Sequence, residues 1–144
     1  MILISHRGNI EGSIPELENT QPYINIAIAN GYDVEIDVWW SNGYLYLGHD
    51  KPQHLIDLSW FEKNKDSLWV HCKNIESVVK LQNTDFHYFW HQNDDLTLTS
   101  KNYIWAYPNK QPIKNSIAVL PELYNDNLGV CKGVCSDNIL KIKI

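Results

Sequence analysis

Apolar and polar positions along this chain change period several times. Ile2-Leu3-Ile4-Ser5 is a short apolar run and predicts a buried strand, followed by a loop punctuated by Gly8, Gly12 and Pro15. A helix is predicted over about residues 21–30, with Asn19 or Thr20 as its cap, Pro22 near its first turn and Gly31 just past its end. Ile24, Ala27 and Ile28 fall on one face of it. From Asp33 the period becomes two: Val34, Ile36 and Val38 leave one face of a strand, and Asp33, Glu35 and Asp37 the other. Asn42-Gly43 is a tight-turn signal that joins this strand to Tyr44-Leu45-Tyr46-Leu47. A short helix over 57–66, a strand at Leu68–Cys72 and a helix from Ile75 to Leu81 follow. Beyond them Phe86–Trp90, Tyr103–Tyr107, Ile117–Leu120 and Val130–Cys135 read as strands, with little helical periodicity between them.

Strand–helix–strand order in the front half favours a parallel sheet or barrel of the α/β class. A full eight-fold barrel takes about 250 residues, and the chain has 144. The predicted architecture is therefore a compact, reduced TIM-type (βα) barrel with several outer helices missing, formed by a single domain over residues 1–144.

Composition narrows the function classes. Apolar residues at 44% supply a core, and charged residues at 20% exclude a disordered chain. The net charge is −5 and Lys and Arg are scattered, which argues against a nucleic-acid surface. A bound cation inverts a local field, so an acidic protein still accommodates an anionic small molecule. No run approaches the ~18 apolar residues of a membrane span, and Met1 leads straight into Ile2 with no basic leader. Cys72, Cys131 and Cys135 form no zinc pattern and no even disulfide set, so buried free thiols and a cytoplasmic setting are expected. Six Trp and eight Tyr serve to pack a small core or to wall a pocket.

The chemistry-bearing residues gather in the first fifty positions. Glu35 and Asp37, two apart on a strand, send both carboxylates from one face, where they repel unless a cation lies between them or solvent screens them. Hard oxygen donors of this kind suit Mg²⁺ or Ca²⁺. His6 and Arg7 follow the first strand directly, at the rim where barrel sites form. An Arg fork matches phosphate oxygens, and a histidine exchanges protons near neutral pH. His49 also ends a strand, beside Asp50. Later, His71 shares a strand face with Trp69 and Lys73, His87 and His91 share one with Phe89, and Trp105 and Tyr107 point the same way. His91 ends its strand, where lining the site and a structural role are both open; Glu122 follows another strand end, and His54 reads as surface loop.

The series His6-Arg7-Gly8, Glu18-Asn19-Thr20, Glu35-Ile36-Asp37-Val38 and His49-Asp50 resembles the signature of the glycerophosphodiester phosphodiesterase family, among the phospholipase C-like phosphodiesterases. The similarity is specific over residues 3–50 and loose afterwards. There His71-Cys72-Lys73 stands where the family carries Glu-x-Lys, Tyr103-Ile104-Trp105 resembles its late tryptophan-bearing strand, and Gly133-Val134-Cys135-Ser136-Asp137 resembles the Gly-x-x-Thr-Asp of its last strand. The resemblance implies a metal-dependent phosphoric diester hydrolase of lipid metabolism. It implies His6 and His49 as general acid and base, and Arg7, Lys73 and Trp105 around the substrate. It also implies Glu35 and Asp37 as ligands of a divalent cation (Mg²⁺ or Ca²⁺, with Mn²⁺ as an alternative), supported by Glu18. His71 replaces the family's third acidic ligand and is expected to ligate in its place, softer and with one negative charge fewer.

The expected reaction is attack by a neighbouring substrate hydroxyl on phosphorus, giving a cyclic phosphate that water then opens. A lyase that stops at the cyclic phosphate, a module that binds phosphodiesters or sugar phosphates without turnover, and a non-catalytic assembly partner using its tyrosine and tryptophan surface are the alternatives. Expected partners are a small-molecule phosphodiester and, where missing helices leave apolar outer surface, a second copy in a homodimer.

Overall fold

The N-terminal apolar run forms β1 (Ile2–His6) and the first predicted helix forms α1 (Gln21–Ala29), with Pro22 in its first turn. The alternating segment forms β2 (Asp33–Ser41), and Asn42 and Gly43, both at positive φ, turn it into β3 (Tyr44–Leu47). The strand β4 (His54–Ile56) covers the stretch around His54 that the sequence suggested was surface loop. Then come α2 (Leu58–Lys63), β5 (Leu68–Cys72), α3 (Ile75–Leu81) and β6 (His87–Trp90). The back half holds β7 (Leu96–Leu98), β8 (Ile104–Ala106), β9 (Ser116–Val119) and β10 (Gly133–Ser136). This computed structural model describes residues 1–143, and residue 144, the end of the predicted domain, lies outside the described residues. Among the described residues no helix is long and apolar enough to cross a membrane.

The expected reduced (βα) barrel is not what forms. The architecture is a curled, mixed ten-stranded sheet carrying three short α-helices. Its long path runs β6–β5–β2–β1–β10–β9–β8–β7, parallel from β6 to β8, with β7 antiparallel to β8 and the β3–β4 ribbon antiparallel to the far end of β2. The sheet stays open because β6 has no ladder to β8. The segment after β6 meets its edge through isolated side-chain and backbone hydrogen bonds instead. Thr97 Oγ1 donates to the Trp90 carbonyl (3.0 Å), and the Ser100 amide donates to the Tyr88 carbonyl (2.8 Å).

The missing helices have a local cause. The connections after β6 lack an apolar stripe to bury, and they carry Asn102, Asn109, Asn115 and Asn125 at positive φ, where Asn is tolerated and a helix cannot continue.

Both faces of the sheet carry apolar clusters. Val34, Ile36 and Val38 of β2, with Leu68 and Val70 of β5, pack outward against Ile24 and Ala27 of α1, Phe61 of α2 and Leu81 of α3. The opposite face closes on itself: Ile4, Trp69, Phe89, Trp105, Ile117, Val119 and Cys135 form a second cluster inside the curl. Trp105 on one arm reaches Phe89 on the other, with ring centroids 4.7 Å apart, so aromatic packing holds the two arms together. Cys72 and Cys135 are buried free thiols, as expected, while Cys131 is only partly covered.

His87 belongs to this lining. It is buried, hydrogen-bonded to Thr99 Oγ1 at 2.7 Å and packed on Trp69. Burial, with the Lys101 charge adding to it, pushes its pKa down to about 4. The unfolded chain therefore takes up a proton that the folded ring resists, and stability falls as pH drops from about 6.5 towards 4. His87→Gln, which keeps a partner for Thr99, is expected to lose clearly less stability than wild type between about pH 7 and pH 5 in urea unfolding. Equal losses would remove His87 as the source.

Candidate functional site

Strand parity decides what faces the curl's interior. His6, Glu35, Asp37, His71, Lys73 and His91 leave the same inner face as Ile4, Trp69 and Phe89, towards the carboxyl ends of the parallel strands. Glu35 and Asp37 thus lie opposite Val34, Ile36 and Val38 as the alternation predicts, yet they are only 2% and 0% exposed. Two adjacent carboxylates out of water need compensation.

Most of it comes from three residues. Arg7 Nε lies 3.1 Å from Asp37 Oδ2, while its Nη1 donates to Glu18 Oε2 at 3.2 Å. Asn19 Nδ2 donates to Asp37 Oδ2 (2.8 Å), and the Asp37 amide donates back to Asn19 Oδ1 (3.0 Å). His71 Nδ1 is 3.1 Å from Asp37 Oδ1 and 3.8 Å from Glu35 Oε1, and Lys73 Nζ is 3.9 Å from Asp37 Oδ1. Burial opposes the Asp37 charge, but His71, Arg7 and Asn19 outweigh it and hold its carboxyl far below the usual range. Glu35 shifts the other way, raised by burial and by the neighbouring Asp37 charge.

Arg7 reaches this position at some backbone cost. Its φ is +56°, uncommon for a side chain of this size, and its amide donates to the Glu35 carbonyl at 2.9 Å. Glu18, which the resemblance suggested as support for the cation cluster, acts one step away. It accepts from Arg7, from Asn9 Nδ2 (2.9 Å) and from Ser13 Oγ (2.6 Å), so it fixes the guanidinium rather than facing the acidic pair.

The two predicted proton-transfer residues are held alike. His6 Nδ1 sits 2.7 Å from Asp137 Oδ1, leaving Nε2 3.7 Å from Glu35 Oε2. Burial disfavours the charged His6 ring, but Asp137 and Glu35 overcome this and raise its pKa. His49 Nδ1 sits 2.8 Å from Asp50 Oδ1 on a much more open side chain, 46% exposed. Gly48 makes that delivery feasible: at φ +153° a Cβ there would stand 2.2 Å from the Lys51 carbonyl oxygen.

His6, Arg7, Glu35, His49, His71, Lys73 and Trp105 all line one cavity of about 400 Å³. Trp105 is 2% exposed and forms floor rather than an open wall, while His91 is part of the lining. Burial, with the neighbouring His71 charge, lowers the His91 pKa to about 4, and its ring stacks on Tyr107 with centroids 3.5 Å apart. Glu122 stays outside the cavity. It accepts from Ser136 Oγ (2.9 Å) and from the Asp137 amide (3.1 Å), which steadies the loop that carries Asp137. Sequence reasoning gave Asn9 and Asp137 no role. Asn9 is fully buried and donates to both Glu18 and Asp137 Oδ1 (2.8 Å), tying the Arg7 support to the His6 support. Its nearness in sequence to His6-Arg7 was the one available signal.

The donor set fits a hard divalent cation. One ligand atom each from Glu35, Asp37 and His71 lies within 4.8 Å of the others. Glu35 Oε2 is buried without a hydrogen bond, and Asp37 Oδ1 has only ion-pair neighbours. His71 Nε2 lies 3.2 Å from the His91 carbonyl oxygen. A proton on Nε2 donated there leaves the Nδ1 lone pair facing two carboxylates, a repulsion that a cation or a second ring proton removes.

No protein-family model, no curated protein and no solved structure matches the chain.

Asn19 offers a direct test of the compensation. Asn19→Ala strips Asp37 of two hydrogen bonds inside a dry environment and is expected to cost about 2 kcal/mol or more of unfolding free energy. Asn19→Asp, which adds a third carboxylate, is expected to cost more. Urea denaturation with unchanged midpoints would contradict the assignment.

Proposed function

We propose that this chain is a divalent-cation-dependent phosphodiesterase acting on a glycerophosphodiester-like small molecule by histidine acid–base catalysis. The observation that carries it is the convergence of His6, Arg7 and His49, each fixed by a carboxylate, on one cavity that Glu35 and His71 also line, with Asp37 buried just behind them. Phosphoryl transfer needs this combination of positive charge, proton donor, proton acceptor and positioning. The motif resemblance over residues 3–50 supports the same chemistry.

Glu35, Asp37 and His71 would hold Mg²⁺, Ca²⁺ or Mn²⁺, which when bound stabilises negative charge on phosphoryl oxygens and acidifies a nearby hydroxyl. Arg7, whose Nη1 donates to Glu18 and whose Nε lies 3.1 Å from Asp37 Oδ2 as an ion pair, keeps its remaining amino group for a phosphate oxygen, and Lys73 adds charge from just past the end of β5. One imidazole accepts the proton of a substrate hydroxyl as its oxygen attacks phosphorus. The other donates a proton to the departing alkoxide as the phosphorus–oxygen bond breaks. The product is a cyclic phosphate and a free alcohol, and water opens the ring with the two proton transfers reversed. Asp137 and Asp50 hold the rings by Nδ1, so Nε2 of each is the atom that exchanges the proton.

Incubation of glycerophosphodiesters with and without Mg²⁺, Ca²⁺ and Mn²⁺, followed by ³¹P NMR, tests this. Expected are cation-dependent turnover and a loss of at least about 10²-fold in kcat for His6→Ala and for His49→Ala. Full activity in either variant would refute its role. A cyclic phosphate as the final product would make the chain a lyase. Thermal-shift titration with each cation is expected to stabilise the wild type and to stabilise His71→Ala less at the same concentration; equal shifts would remove His71 from the ligand set.

A further inference from the structure

Three ring pairs span the edge where β6 and β8 lack a ladder. Strand parity sends His87, Phe89 and His91 inward from β6, and Tyr103, Trp105 and Tyr107 inward from β8. They meet as rungs: His87 with Tyr103 at 5.5 Å between ring centroids, Phe89 with Trp105 at 4.7 Å, and His91 with Tyr107 at 3.5 Å. The first two belong to the packed interior. The third stands towards the carboxyl ends of the strands and lines the cavity. Stacking alone would be served there by two phenylalanines.

This top rung is held from both sides. Pro108 restricts the Tyr107 backbone to an extended conformation, which keeps the strand parity past the end of β8. The Tyr107 amide donates to the Asp95 carbonyl at 3.1 Å, and His71 Nε2 lies 3.2 Å from the His91 carbonyl oxygen. The two rings are 21° from parallel.

Its polar atoms are nevertheless unused. Tyr107 Oη is shielded from solvent and has no hydrogen-bond partner among the described residues; the Trp105 indole nitrogen comes near it without hydrogen-bond geometry. His91 Nδ1 is also buried and unbonded, 3.7 Å from Asp94 Oδ2, which leaves Nε2 as the ring atom open to the cavity. A buried hydroxyl without a partner weakens the fold, so its retention next to a cavity points to a partner that arrives with a ligand.

The fixed cations of the cavity sit elsewhere. His6 and Arg7 come from the end of β1, His49 from the loop after β3, and Lys73 from just past β5. Phosphoryl oxygens have those charges to go to. A phenol hydroxyl gives one hydrogen bond and takes another, and the imidazole nitrogen beside it does one or the other; an alcohol hydroxyl matches that pair.

Resting on the phosphodiesterase reading, we infer that the His91–Tyr107 rung sets specificity by hydrogen-bonding a hydroxyl that takes no part in the reaction, carried by one of the two alcohol arms of the diester. Tyr107 Oη and His91 Nε2 are its partners, and a diester without that hydroxyl leaves both unpaired. Neither residue belongs to the motifs that carry the family resemblance, so this selectivity is the chain's own.

The test uses three diesters. The ethyl ester of glycerol phosphate is the reference. Its 2-hydroxyethyl counterpart adds a hydroxyl to the departing arm. The ethyl ester of propane-1,2-diol phosphate removes the terminal hydroxyl of the glycerol arm and keeps the attacking one. In wild type, one of the two comparisons is expected to favour the hydroxyl by at least about tenfold in kcat/KM, and which one identifies the arm. Tyr107→Phe keeps the stack and is expected to bring that ratio within about twofold of unity. Its urea midpoint is expected to equal or exceed that of wild type, because an unpaired hydroxyl is gone. His91→Phe is read the same way and decides the matter should Tyr107→Phe not fold. Ratios near unity in wild type, or ratios that neither variant changes, overturn the inference and leave the phosphodiesterase reading standing. A lowered midpoint with unchanged ratios assigns the hydroxyl to the fold and overturns it too. Where no diester is turned over with any cation, the thermal shift each diester gives the cation-loaded protein replaces kcat/KM. A shift confined to the hydroxyl-bearing diester and abolished by Tyr107→Phe supports the rung and overturns catalysis. Neither turnover nor shift overturns both.

Discussion

The structure depends on keeping two carboxylates charged or half-charged in a place without water. Glu35 and Asp37 occupy the inner face of a central strand, and neither is more than 2% exposed. Everything around them answers that cost. Arg7 adopts a left-handed backbone to bring its guanidinium against Asp37, Asn19 clamps the same carboxylate and its amide, and His71 and Lys73 approach from the adjacent strand. A pair of methyl-bearing side chains at these positions would be easier to bury. The buried Glu35 oxygen without a hydrogen bond is where the compensation remains incomplete.

The fold serves this site through parity. Each parallel strand sends alternate residues outward into the helix-packed core and inward into the curl. Deep inside the curl, Trp69, Phe89 and Trp105 pack into a solid floor; nearer the carboxyl ends the same faces turn polar. The floor fixes strand spacing and keeps water from below, and the polar layer above inherits its geometry from it. An expected closed barrel would have positioned these residues similarly, but the edge between β6 and β8 is joined by aromatic packing and by hydrogen bonds of Thr97, Thr99 and Ser100 rather than by a ladder. That is a weaker seam than a ladder, and the cavity's aromatic wall lies along it.

Much of the site was legible because it is local. His6-Arg7, Glu35-x-Asp37, His49-Asp50 and His71-x-Lys73 each sit at or beside a strand end, and period-two alternation states which side chains share a face. What escaped was whatever depends on tertiary closure. The alternation of β2 is that of a strand with one wet face, and nothing local says that its polar face is enclosed by strands some seventy or more residues later. Asp137 is 131 positions from His6, so its grip on Nδ1 is invisible without the β1–β10 pairing. β4 and β7, three residues each, are too short to carry a period, and both form as antiparallel additions to a strand already in place. Barrel closure was over-read for the same reason: strand order along the chain is compatible with a closed ring, but whether the last pair of edges meets is decided by loop geometry.

The lack of long loops and outer helices on the back half has a functional side. Larger α/β enzymes build specificity from insertions that fold over the carboxyl ends of the strands. Here the connections from β8 to β10 carry asparagines at positive φ and a single 3-10 turn, Pro121–Leu123, instead of α-helices. On the proposed reading, selectivity comes from the first residues past the strand ends: His91 and Gln92 after β6, Tyr107 and Pro108 after β8, and Leu120 after β9. Those positions are held by short, strained or stacked backbone rather than by mobile lids, as the left-handed Leu120 and the His91–Tyr107 stack illustrate. A site made this way is preorganised and shallow. On the reading proposed above, binding energy has to come from contacts these strand ends make directly.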